Sequence, residues 1–98
     1  MNSQVEISAD IILLKGDLLF STIISVREAL EKAIDQADKD CVLDFAGVGR
    51  VDSSAVSLWL CLERKTRSRH LSLKAVNIPD ELSSIVSLVG LNQTGLNP

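Results

Sequence analysis

The sequence predicts an α/β domain built on a mixed β-sheet, and three observations lead there. Segments whose apolar residues alternate or run continuously interleave with segments whose apolar residues recur at helical spacing. The first two strand-like segments are adjacent, as in a hairpin, whereas the later ones are separated by helices and need crossovers. The chain has 98 residues, a single-domain length, with no linker, repeat or low-complexity stretch, so residues 1–98 are expected to form one domain. The expected order is β-β-α-β-α-β-α, with four or five strands and three or four helices.

Taken in order, "VEIS" (5–8) alternates like a half-buried strand, and "IILLK" (11–15) is continuously apolar like a more central one. Gly16-Asp17 is expected to break the second strand. From Thr22 to Ala37 the period turns helical: Ile23, Val26, Leu30, Ala33, Ile34 and Ala37 form a stripe, and Arg27, Glu28, Glu31, Lys32 and Asp35 lie opposite. Ser21 or Thr22 is positioned to cap it. "CVLDF" (41–45) reads as a second central strand, and "AGVGRVD" (46–52), with its two glycines, as a loop. A helix is expected from about Ser54 to Arg67. "LSLKAV" (71–76) alternates as a strand. Pro79 suits the first position of a last helix with the stripe Leu82, Ile85, Val86 and Val89, which Gly90 would terminate.

Composition narrows the function. Only Phe20, Phe45 and Trp59 are aromatic, so the core must be aliphatic. A net charge of −3 argues against non-specific binding to nucleic acid. No apolar run approaches the roughly 18 residues of a membrane span, and the N-terminus lacks the pattern of a signal peptide, so a cytoplasmic protein is expected. Cys41 and Cys61 fit that compartment as small buried thiols. One histidine without a CxxC pattern gives no metal-ligand spacing, and no cofactor is expected.

The stretch with most to say is "GRVDSSAVSLWL" (49–60), where an acid and two hydroxyls stand at the start of an apolar helix. At 100° per residue, Ala55, Leu58, Trp59 and Leu62 gather on the core side, and Ser53, Ser57 and Arg64 on the other. Val56 and Leu60 fall beside the serines, so this side is expected to be exposed and to serve as a docking face. Asp52 or Ser53 can cap the helix, a contribution of typically about 1 kcal/mol. The remaining hydroxyl is then left at a helix N-terminus whose N–H groups and dipole favour negative charge.

These residues resemble a known family. "VDSSAV", preceded by "CVLDF" and a glycine-containing loop, resembles the signature of STAS domains, the sulfate transporter and anti-sigma factor antagonist modules. "KGDLLF" (15–20) resembles the family's Gly-acidic turn after the second strand, and "VSLVGL" (86–91) its closing helix. The resemblance implies a STAS-like fold over essentially the whole chain. In the anti-sigma antagonist branch the hydroxyl residue after the Asp is the phosphoacceptor, which implies Ser53; a Gly commonly stands there where this chain has Ala55. "LKAVNIPDEL" (73–82) and the leucine-rich motif helix are closer to the MlaB-like branch, the stand-alone STAS subunit of Mla lipid-transport complexes. That likeness implies a non-catalytic subunit, peripheral to the inner membrane through the cytoplasmic ATPase of an ABC transporter, which supports phospholipid traffic and outer-membrane lipid asymmetry. With the side of the helix read from its wheel, the expected partner-binding residues are Asp52, Ser53, Ser54, Val56, Ser57 and Leu60.

Other chemistries fit less well. A hydrolase would need a nucleophile, a base and an orienting group, and no G-x-S-x-G elbow is present. "GVG" (47–49) lacks the spacing and the Lys-Ser/Thr of a phosphate loop. The basic run "RKTRSRH" (64–70) complements the carbonyl end of its helix, and its second reading is weak contact of Arg64, Lys65, Arg67 and Arg69 with an anionic surface. Three functions remain: a docking subunit of an ABC ATPase, a phosphoswitch at Ser53, and a small-ligand carrier with a pocket near the motif.

Overall fold

The computed structural model describes residues 4–8 and 11–88. The elements follow the expected order: β1 (Gln4–Ser8), β2 (Ile11–Leu18), α1 (Ile23–Gln36), β3 (Cys41–Val51), α2 (Ser54–Ser68), β4 (Leu73–Val76) and α3 (Asp80–Leu88). The sheet order is β1-β2-β3-β4. β1 and β2 pair antiparallel as a hairpin, and β2–β3 and β3–β4 pair parallel across the α1 and α2 crossovers. Gly90 and "VSLVGL" beyond residue 88 lie outside the described residues.

The apolar stripes become the core. Ile12, Leu14 and Leu18 of β2 and Cys41, Leu43, Phe45 and Val51 of β3 are buried. Against them lie Val26, Leu30, Ala33 and Ile34 of α1, and Leu82 and Val86 of α3. The expected core side of α2 is borne out, with Ala55, Leu58, Trp59 and Leu62 all buried.

Two expected breaks are strands instead. β2 runs through Gly16-Asp17, with register shifts between Leu13 and Lys15 and between Gly16 and Leu18, and Gly16 takes a φ of 92°. β3 likewise runs through "AGVGRV" to Val51. The glycines here permit close approach rather than a turn. A Cβ on Gly47 would stand 2.7 Å from the Leu14 carbonyl oxygen, and one on Gly49 would stand 2.7 Å from Asp17 Oδ1. That same Asp17 oxygen accepts a hydrogen bond from the Arg50 N–H at 2.8 Å. The extended, irregular pairing carries both strand ends to the level where α2 begins.

Three side chains differ from expectation. Val56, expected on an exposed side, is 5% exposed, and Leu60 is half-buried and packed against the core. The reason is that α2 contacts not only the sheet but also α1 and α3. Cys61, expected to be buried, is exposed, while Cys41 is buried as expected.

Candidate functional site

The site begins where β3 ends. The Asp52 N–H donates to the Leu18 carbonyl at 3.2 Å, which joins the ends of β2 and β3. The Asp52 carboxylate then bridges two elements. Its Oδ2 accepts from the Phe20 N–H at 2.9 Å, and its Oδ1 accepts from the Ser54 N–H at 2.8 Å and from the Ser54 hydroxyl. One acid therefore clasps the loop before α1 to the first turn of α2.

Asp52 performs the cap function and Ser53 does not. Ser53 occupies the capping position, but its hydroxyl makes no cap hydrogen bond and the residue is exposed. The free-hydroxyl expectation holds, whereas the expectation of exposed N–H groups does not. The N–H groups of Ala55, Val56 and Ser57 donate to the Asp52 and Ser53 carbonyls, and that of Ser54 to the Asp52 carboxylate. An anion here would meet the helix dipole but no waiting donor from residues 54–57.

Burial alone would push the Asp52 carboxyl up. Hydrogen bonds from the Ser54 hydroxyl, the Phe20 N–H and the Ser54 N–H outweigh it and hold the group below its ordinary 3.8. A folded-state value below the unfolded one contributes stability above pH 3.8, and that contribution is lost as the pH falls through the lower, folded value. Asp52→Asn should therefore lower stability at neutral pH and flatten its decline below 3.8. Urea midpoints across that range check this, and an acid limb as steep as the wild type's would reject it.

Beside the clasp, α1 and α2 enclose a groove of about 270 Å³ lined by Phe20, Ile23, Ile24 and Arg27 on one side and Ser53, Ser54, Ser57, Leu58 and Cys61 on the other. Whole small-molecule pockets run roughly 300–1,000 Å³, so this one suits one or two inserted side chains better than a carried ligand. Its outer wall holds Phe20 at 84% and Ile24 at 62% exposure.

Of the residues expected at the site, Asp52, Ser53, Ser54 and Ser57 come together, while Val56 and Leu60 do not line the groove. Sequence reasoning missed Phe20, Ile24 and Cys61. A signal existed for the first two: both are large apolar residues off the α1 stripe. The basic run is partly committed within the fold, since Lys65 pairs with Asp35 at 2.9 Å and Arg69 donates to the Ile34 carbonyl at the end of α1. Arg64 and Arg67 are exposed. Among the described residues no group of three His, Cys, Asp or Glu could hold a metal ion, and no helix is long and apolar enough to cross a membrane.

Comparison with known proteins supplies the family. The anti-sigma factor antagonist SpoIIAA in its unphosphorylated form is similar, with a TM-score of 0.66, 20% identity, and coverage of 88% of this chain and 82% of that one. SpoIIAA, a Bacillus cell fate determinant, in its phosphorylated form gives 0.68, 21% identity, and 92% and 85% coverage. A sulfate transporter family protein from Wolinella succinogenes gives 0.67, 17% identity, and 92% and 73% coverage. These likenesses establish the fold. Among curated proteins none matches in sequence. The family model described as "Mlab, STAS domain" matches residues 2–98. A clasped Asp-Ser-Ser at the head of α2, on this sheet and with that match across nearly its whole length, makes the chain a member of the STAS domain family.

Proposed function

We propose that this STAS domain is a non-catalytic docking subunit that binds the cytoplasmic ATPase of an Mla-type ABC phospholipid transporter through the face around Ser53. The observation that carries the reading is the Ser53 hydroxyl, exposed and uncapped beside a groove walled by Phe20 and Ile24. Such a face offers hydrogen bonds and apolar area to a protein, and no histidine to activate the Ser53 hydroxyl. A nucleophile needs a base within about 3 Å, and His70 stands past the far end of α2, about 25 Å along the helix from Ser53 at 1.5 Å per residue. The ATPase as partner is supported by the family model's description and by the likeness of "LKAVNIPDEL" to the MlaB-like branch. The protein would then be cytoplasmic, held at the inner membrane by its partner.

The second reading, a phosphoswitch of the anti-sigma antagonist type, is favoured by one observation. The same hydroxyl is free in a fold also found in unphosphorylated and phosphorylated SpoIIAA. A phosphate on Ser53 would add about −1.5 to −2 charges beside the Asp52 carboxylate, with Arg27 the cation lining the groove.

Purification of the tagged protein from its native cell separates the two. An ATPase that copurifies stably, with Ser53 unmodified, supports the transporter reading. A modified Ser53 fraction, with partners that exchange on modification, supports the switch. Recovery of the domain without any ATPase would reject the first.

A further inference from the structure

The groove's chemistry specifies what it would accept, an inference that rests on the reading of this face as a docking site. Phe20, in the loop before α1, and Ile24 are its most exposed apolar side chains, and Glu28, one turn after Ile24 on α1, stands outside the lining itself. Glu28 is exposed and has no ion-pair partner among the described residues. Arg27, which could have neutralised it, is held by Glu31 at 3.4 Å. At the other end of the groove the N–H groups of residues 54–57 are already bonded, and the Asp52 carboxylate stands beside them. A partner's carboxylate would find no free backbone N–H there, only the Ser53 hydroxyl, and a like charge close by. The chain as a whole carries −3.

We propose that the groove receives an amphipathic protein segment whose apolar side chain seats between Phe20 and Ile24 on one wall and Leu58 on the other. A lysine or arginine about one helical turn away on that segment meets Glu28. The volume of about 270 Å³ admits an aromatic or branched aliphatic anchor. The spacing follows from the helix: Ile24 and Glu28 are one turn apart, about 6 Å along the axis. Charge complementarity of this kind sets specificity and encounter rate, and the anchor sets the affinity.

Random peptides displayed on phage and selected on the immobilised domain test this without any ATPase, so a wrong partner identity leaves the result standing. Enriched peptides should pair an aromatic or branched aliphatic residue with Lys or Arg three or four positions away. Their binding should fall roughly tenfold or more on Phe20→Ser or Ile24→Ser, and should weaken with salt and on Glu28→Lys. Both apolar positions are exposed, so the variants should melt as the wild type does, and two of them guard against one misfolding. Enrichment no greater than on a blocked surface would overturn the proposal. So would peptides with Asp or Glu beside the anchor, or binding indifferent to both serine variants.

Discussion

Trp59→Ala is expected to cost about 3–5 kcal/mol, the range for truncating a large buried aromatic. Trp59 is 1% exposed and sits in the middle of α2, where that helix meets the sheet and both neighbouring helices. Smaller residues cannot move in to fill the space, because Leu58 and Leu62 beside it are themselves fully engaged in the core. Domains of this size hold only about 5–15 kcal/mol in total, so the variant should lose roughly a fifth of its stability or more. Chemical denaturation reads this directly. A midpoint close to the wild type's would mean that α2 does not carry the core in the way described.

Ser53→Asp should have the opposite profile, with stability almost unchanged and partner binding weakened at least tenfold, about 1.4 kcal/mol. Ser53 is exposed and its hydroxyl caps nothing, so the fold loses no bond. The gain from placing an acid at a helix N-terminus is offset by repulsion from the adjacent Asp52, and the net effect should stay within about 0.5 kcal/mol. In a complex the new carboxylate would be desolvated next to that same group, and like charges brought together at an interface are costly. Quantitative copurification, with a thermal melt as control, makes the test. A folded Ser53→Asp protein that binds as tightly as the wild type would remove Ser53 from the interface.

Much of this fold can be read directly from hydrophobic periodicity. Val26, Leu30 and Ile34 repeat at helical spacing and are buried, and Ala55, Leu58, Trp59 and Leu62 define the core side of α2 as expected. Periodicity misled where it had no access to the number of neighbours. A helical wheel assigns Val56 an angle but does not know that α2 is covered from three directions, so a flank residue that looked exposed is buried. Glycine misled differently. Gly47 and Gly49 read as loop residues because the reason for them lies in another strand, at Leu14 and Asp17. At the site, the motif's acid and hydroxyls were legible because they are contiguous in sequence. The opposite wall was not, since Phe20 and Ile24 reach Ser53 only through the crossover.

The Asp52 clasp also bears on the order in which the domain assembles. Phe20 and Asp52 are 32 residues apart, and the chain between them contains all of α1 and β3. Loop closure on that scale is not rewarded until β2 and β3 have paired, and parallel pairing across a crossover is slow. The clasp should therefore close after the central strands, and it should open ahead of them in native fluctuations. Amide exchange gives the signature: the Phe20 and Ser54 N–H groups, which share one carboxylate, should exchange at similar rates and faster than that of Leu43, which is buried in β3 with strands on both sides. Protection of Phe20 equal to that of Leu43 would show that the clasp opens only with global unfolding. A partner seated on the groove would slow both amides together, because it would hold shut a junction that the rest of the domain leaves free to breathe.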